Sequence, residues 1–134
     1  MSILSSPRFL PRVLWADAAS CVATGALQVG LTEPLAALLH LPAPLLMGTG
    51  LFLLAYAAVV LWVATRDPLP RAVVGAIVAG NLAWAAGCVT LLAAGGLAPS
   101  GLGVAWVMAQ ALTVLVLAEL QWLALRKGAI QPAW

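Results

Sequence analysis

The stretch "RVLWADAASCVATGALQVGL", Arg12 to Leu31, decides the fold. It is apolar enough to enter a membrane, yet Asp17 stands five residues in. Asp17, Ser20, Cys21, Thr24 and Gln28 follow the spacing i, i+3, i+4, i+7, i+11. At about 100° per residue these positions share an arc of roughly 100° on an α-helix. Trp15, Ala19, Val22, Ala26 and Val29 occupy the opposite face. The segment reads as a membrane helix with one polar stripe. Polar groups facing hydrocarbon are costly, so the stripe should face the interior of a bundle.

The rest of the chain has the same character. Of 134 residues, 64% are hydrophobic and 7% charged, with a mean hydropathy of +1.09. A soluble domain of this length needs roughly a quarter of its residues charged to cover its surface. Lipid is therefore the expected solvent for most of this one. The length suits a single domain over residues 1–134. Four stretches reach the roughly 20 apolar residues that cross a hydrocarbon core, about 13–31, 45–65, 72–94 and 102–125. The breaks "TEPLAALLHLPAP", "RDPLPR" and "GGLAPSG" each contain proline. Backbone groups in lipid must be satisfied within the segment, so the runs are expected to be helices. The short alternating segments of a membrane β-barrel are absent from the sequence. The fold class is all-α: a bundle of four transmembrane helices.

Charge placement predicts an orientation. Arg8, Arg12, Arg66, Arg71, Arg126 and Lys127 all fall on one side of a four-span chain, and the opposite loops hold Glu33 and His40. The positive-inside rule puts both termini in the cytoplasm. Trp15, Trp62 and Trp122 fit an aromatic belt near that side, Trp106 fits one near the outer end, and Trp84 fits packing within the bundle. A cleaved signal peptide is not expected, because its apolar core would contain Asp17. The lipid-attachment look of "AASC" fails on Ala18, where a large apolar residue belongs. No basic run supports a nucleic-acid partner.

The remaining polar residues extend the pattern. In the third helix Asn81, Ala85 and Cys88 share a face, with Trp84 at its edge. Roughly opposite, Gly75, Ala79, Ala83 and Gly87 form a ladder of small residues expected to pack helices closely, within the bundle or between protomers. In the fourth helix Trp106, Gln110, Thr113 and Gln121 share a face and Glu119 lies nearly opposite Gln110. Glu119 is expected to snorkel, or to pair with a neighbouring helix or a second protomer. At about 1.5 Å per residue, Asp17 lies roughly 7 Å past Arg12 and Glu119 roughly 10 Å before Arg126. Gln28 and Gln110 each fall roughly 24 Å from the basic side and would form an outer polar layer, with Asn81 nearer the middle.

Asp17, Thr24, Gln28, Asn81 and Gln110 are thus the candidate polar groove or ligand site. Asp17 itself has two readings. It forms an ion pair with Arg12, or with Arg66 or Arg71, that ties the basic ends of the helices together. Alternatively it is a proton- or cation-binding carboxylate at the mouth of the groove.

Other chemistry finds little support. Cys21 and Cys88 are offset by depth too far for a disulfide, which needs α-carbons within about 7 Å, and no C-x-x-C is present. His40 has no second histidine or acidic cluster, so no metal, haem or other cofactor is expected. Ser100 suits a turn or cap in "APSG" and has no base at helical spacing, so no enzyme activity is expected. In "TEPLAALLHLP", a capping Thr32, Pro34 and the leucines predict a short interfacial helix over about 33–40, covering the outer mouth.

The segments "ADAASCVATGAL", "GLFLLAYAAVV", "VVAGNLAWAAGCVTLL" and "WVMAQALTVLVLAELQ" resemble a family of small uncharacterised four-helix bacterial integral membrane proteins. The resemblance covers nearly the whole chain and is carried by Asp17, Tyr56, Asn81, Trp84, Gln110 and Gln121. It implies the architecture, with the inner membrane of a bacterium as the location, and supplies no activity to carry over. The expected function is non-enzymatic: an accessory or scaffold protein, or one that binds lipid or a small apolar ligand through a polar-lined bundle interior. Its expected partners are membrane lipid and a homo-oligomer or larger membrane protein. The alternative is a small proton- or cation-coupled transporter subunit using Asp17, similar in size and helix count to the small multidrug resistance proteins. Against it, Asp17 lies near one interface rather than mid-membrane, and the one-sided charge disfavours dual-orientation insertion.

Overall fold

The computed structural model describes residues 8–66 and 69–126. The described residues form α1 (Phe9–Gly30), α2 (Thr32–Leu39), α3 (Ala43–Ala64), α4 (Arg71–Ala93) and α5 (Gly101–Arg126), with no strand among them. Three helices, α3, α4 and α5, are long and apolar enough to cross a membrane. The polar stripe of α1 dilutes its hydropathy, and it makes a fourth candidate span only together with α2, bent from it by 93°.

Proline and a few local caps set the boundaries. Pro42 and Pro70 precede α3 and α4 in extended conformation, where a missing N–H and a fixed φ cost the helix nothing. His40 ends α2 in the left-handed region (φ 54°), which turns the chain back into α3. Ser100 caps α5: its Oγ accepts the Gly103 N–H at 3.1 Å, donates to Leu38 O at 2.9 Å, and its N–H donates to Leu39 O at 3.0 Å. Thr32, expected to cap α2, is instead the first residue inside it. Its hydroxyl donates back to Gln28 O (2.5 Å) and Val29 O (3.0 Å), two carbonyls at the end of α1 that would otherwise lack partners.

The four long helices run alternately up and down. Leu10, Val63, Val74 and Leu125, from the start of α1, the end of α3, the start of α4 and the end of α5, share one core cluster. At the same end, Arg71 Nη1 donates to Leu125 O at 2.9 Å, a cation on the carbonyl end of α5. Leu39, Leu41, Leu46 and Val107 form a second cluster at the other end, under α2. Between the two, the apolar core thins to Cys21, Leu53 and Ala57.

The seams between helices differ sharply. α1 packs most extensively on α3, α4 on α5, and α1 less extensively on α5, while α3 and α4 barely meet. The order around the bundle is therefore α3, α1, α5, α4, with the last seam open. Glycine closes the α1–α3 seam. A Cβ on Gly25 would stand 2.9 Å from Gly50 O, and one on Gly50 would stand 2.9 Å from Gln28 Cβ. The outer surface is largely apolar, with Trp15, Leu51, Val59, Trp62, Val116 and Trp122 all exposed, a surface suited to lipid rather than water.

Candidate functional site

Two polar layers cross the bundle interior, and each draws on all four long helices. In the first, Asp17 of α1 is fully buried. Its Oδ2 accepts from Gln121 Nε2 of α5 at 2.8 Å and from Asn81 Nδ2 of α4 at 2.9 Å. Its Oδ1 accepts from the Cys21 thiol at 3.7 Å. Asn81 Nδ2 also donates to Gln121 Oε1 at 3.2 Å, and its Oδ1 accepts from the Tyr56 hydroxyl of α3 at 3.4 Å. That hydroxyl also reaches Ile77 O at 3.1 Å. Counted from the helix ends, these four residues lie about 8 to 15 Å into the bundle, at the end where Arg71 meets Leu125.

The second layer centres on Gln28. Its Nε2 donates to Thr49 Oγ1 (2.8 Å) and Leu46 O (3.0 Å) of α3. Its Oε1 accepts from Trp106 Nε1 (3.1 Å) and Gln110 Nε2 (3.5 Å) of α5. Gln110 Oε1 in turn accepts from Trp84 Nε1 of α4 at 3.3 Å. Among the described residues no buried side-chain nitrogen or oxygen lacks a hydrogen-bond partner. Complete satisfaction of this kind is what a low-dielectric interior demands.

Between the layers the open α3–α4 seam forms a cleft of about 530 Å³. Gly80, Ala83 and Gly87 of α4 leave it room, and Phe52, Tyr56 and Trp84 give it an aromatic wall. The Phe52 ring stacks on Trp84 (centroids 5.6 Å, interplanar 5°) and on Tyr56 (6.2 Å, 18°). Asn81 and Cys21, both in contact with the Asp17 carboxylate, line its polar end. A smaller cavity of about 300 Å³ lies between α1 and α5, lined by Thr24, Gln110 and Thr113.

No protein-family model, curated protein or solved structure matches the chain.

Several residues singled out from the sequence take different roles in the structure. Among the described residues the ion pair expected at Asp17 is not formed: its carboxylate is met by neutral groups. Arg12 is exposed, Arg66 stacks over the Trp62 ring (5.0 Å), and Arg71 caps α5. Amides outcompete arginine here because Asn81 and Gln121 already face the axis, whereas the arginine stems lie at the rim. The single polar groove divides into the Asp17–Asn81 layer and the Gln28–Gln110 layer, with half-buried Thr24 on the smaller cavity. Asn81, placed nearer the middle by counting, reaches Asp17 directly.

Glu119 is exposed on the outer face of α5. Among the described residues the Gly75, Ala79, Ala83, Gly87 ladder does not pack closely against another helix. A Cβ on Gly75 or Gly87 would meet nothing within 4 Å, and Ala83 and Gly87 open onto the cleft. Trp106 turns inward to Gln28 rather than joining an outer belt. Lys127 lies outside the described residues. Gln121, Tyr56 and Cys21 complete the Asp17 layer although they were not among the groove candidates. The signal for Gln121 was present: Asp17 and Gln28 are eleven residues apart, and so are Gln110 and Gln121, so two antiparallel helices pair them rung for rung.

Proposed function

We propose that this is a non-enzymatic integral membrane protein that binds a small apolar molecule in the cleft between α3 and α4. The observation that carries this reading is the cleft itself. Its volume of about 530 Å³ falls in the range of about 300–1,000 Å³ typical of small-molecule sites, and its lining is mostly apolar with a few polar groups. The membrane placement is part of the proposal. The chain crosses a bacterial inner membrane four times, with α1 as a full span, α2 lying on the outer surface, and both termini cytoplasmic. The clustering of Arg8, Arg12, Arg66, Arg71 and Arg126 at one end of the helices supports that orientation. The cleft then opens sideways to lipid. Any homo-oligomer or larger membrane partner would meet the outward Gly75, Ala79 face or Glu119.

The test is a titration of the purified protein in maltoside micelles with 1-naphthylmethanol, followed by tryptophan quenching. The wild type should saturate, and Ala83→Phe, which fills the cleft, should not. Identical, non-saturating quenching of both proteins would contradict the reading.

A second reading, a small proton- or cation-coupled transporter subunit, draws on one observation: a fully buried Asp17 with only neutral partners. A carboxylate so placed is a functional candidate. Proteoliposomes carrying wild type or Asp17→Asn would test it through coupled proton flux on addition of substrate. Equal flux in both would remove this reading.

A further inference from the structure

The cleft has spent its donors and kept its acceptors. The Asn81 amide uses its Nδ2 on Asp17 and Gln121, and Trp84 Nε1 is held by Gln110. The Thr49 hydroxyl donates to Leu45 O at 2.7 Å, and the Cys21 thiol points at Asp17. Tyr56 spends its single proton on Ile77 O or Asn81 Oδ1. Only the Cys88 thiol, a weak donor, stands outside these bonds. What remains on the residues that line the cavity is acceptor capacity: lone pairs on the Tyr56 oxygen and on Asn81 Oδ1.

The electrostatics point the same way. The Asp17 carboxylate accepts in all three of its contacts, and among the described residues no cationic side chain is one of its partners. Two of those contacts, Cys21 and Asn81, form the polar end of the cleft. A carboxyl group whose two oxygens both act as acceptors, with only neutral dipoles around it, leaves a negative potential in a low-dielectric space. Phe52, Tyr56 and Trp84 line the same cleft, and aromatic rings attract a cation placed over them.

We infer that the ligand of the α3–α4 cleft is a lipophilic amine, protonated and donating from its head to Tyr56 and Asn81 under the field of Asp17. This rests on the cleft being a binding site. Ligands headed by a ketone would find no donor there but the weak Cys88 thiol, and those headed by a carboxylate or a phosphate would meet a repelling field as well.

The experiment compares three probes of one shape in maltoside micelles: 1-naphthylmethylamine, 1-naphthylmethanol and 1-naphthoate. In the wild type the amine should bind about tenfold more tightly than the alcohol, the margin of a charge-assisted over a neutral hydrogen bond, and the carboxylate should bind least. Asp17→Asn should bring the amine to within about twofold of the alcohol, since the charge preference derives from that one group. Tyr56→Phe, which keeps the ring and removes the acceptor, should weaken the amine more than the alcohol, and it serves if Asp17→Asn does not fold. Equal binding of amine and alcohol in the wild type, or carboxylate binding best, would overturn the amine assignment while leaving the cleft as a site. Failure of all three probes to saturate would overturn both.

Discussion

Helix α3 meets one neighbour through glycine and the other through side chains, and the two seams behave as different materials. Against α1, Gly25 and Gly50 let the backbones touch, so no space remains for a Cβ. Against α4, the same helix is held off by rungs, the Tyr56 hydroxyl bonded to Ile77 O and Asn81, and the Phe52–Trp84 stack. A closed seam gives a bundle its stability, and a propped one gives it a cavity. The Gly75–Gly87 ladder on α4 teaches the converse. Small residues permit close approach, but nothing approaches unless the remaining contacts favour it.

The contrast can be broken from either side. The largest effect is expected at the closed seam. Gly50→Leu should destabilise the protein by about 3 kcal/mol or more, because the new side chain meets Gln28 and Val29 and cannot be accommodated without parting the helices. An SDS titration in dodecyl maltoside reads this directly. Next comes Gln121→Leu, which strips one of two amide donors from a buried carboxylate and should cost about 2 to 3 kcal/mol by the same titration. Gln28→Leu removes the centre of the neutral layer and should cost about 1 to 2 kcal/mol, less than Gln121→Leu because no formal charge is left short of partners. The smallest effect belongs to the open side. Gly87→Ala should leave stability unchanged or raise it by up to about 1 kcal/mol, since alanine is the better helix former and its methyl meets nothing. A loss of more than that at Gly87 would mean the ladder packs against something after all.

Much of this was legible in the sequence. The helix bounds were readable to within a residue or two for α3, α4 and α5 because hydropathy and proline mark them independently. The start of α1 at Phe9 rather than Val13 was not, since Pro11 and Arg12 break the apolar run while Leu10 is fully buried in the core. The polar stripe of α1 identified Asp17 and Gln28, and the inward face of α5 identified Gln110 and Gln121, because periodicity encodes which face is polar. The partner of Asp17 was not legible. Whether an arginine or an amide reaches it depends on how four helices rotate against one another, which no single helix records. The cleft was less legible still, for a cavity is a contact that does not form, and Gly80, Ala83 and Gly87 read equally well as a tight interface.

The central claim is that neutral amides, not an arginine, hold Asp17. The most direct measurement is a pair of double-mutant cycles on folding free energy, Asp17→Asn with Gln121→Leu and Asp17→Asn with Arg12→Gln. A coupling of about 1 kcal/mol or more in the first and none beyond about 0.5 kcal/mol in the second is the predicted result. Strong coupling to Arg12 with little to Gln121 would restore the ion pair and contradict the account.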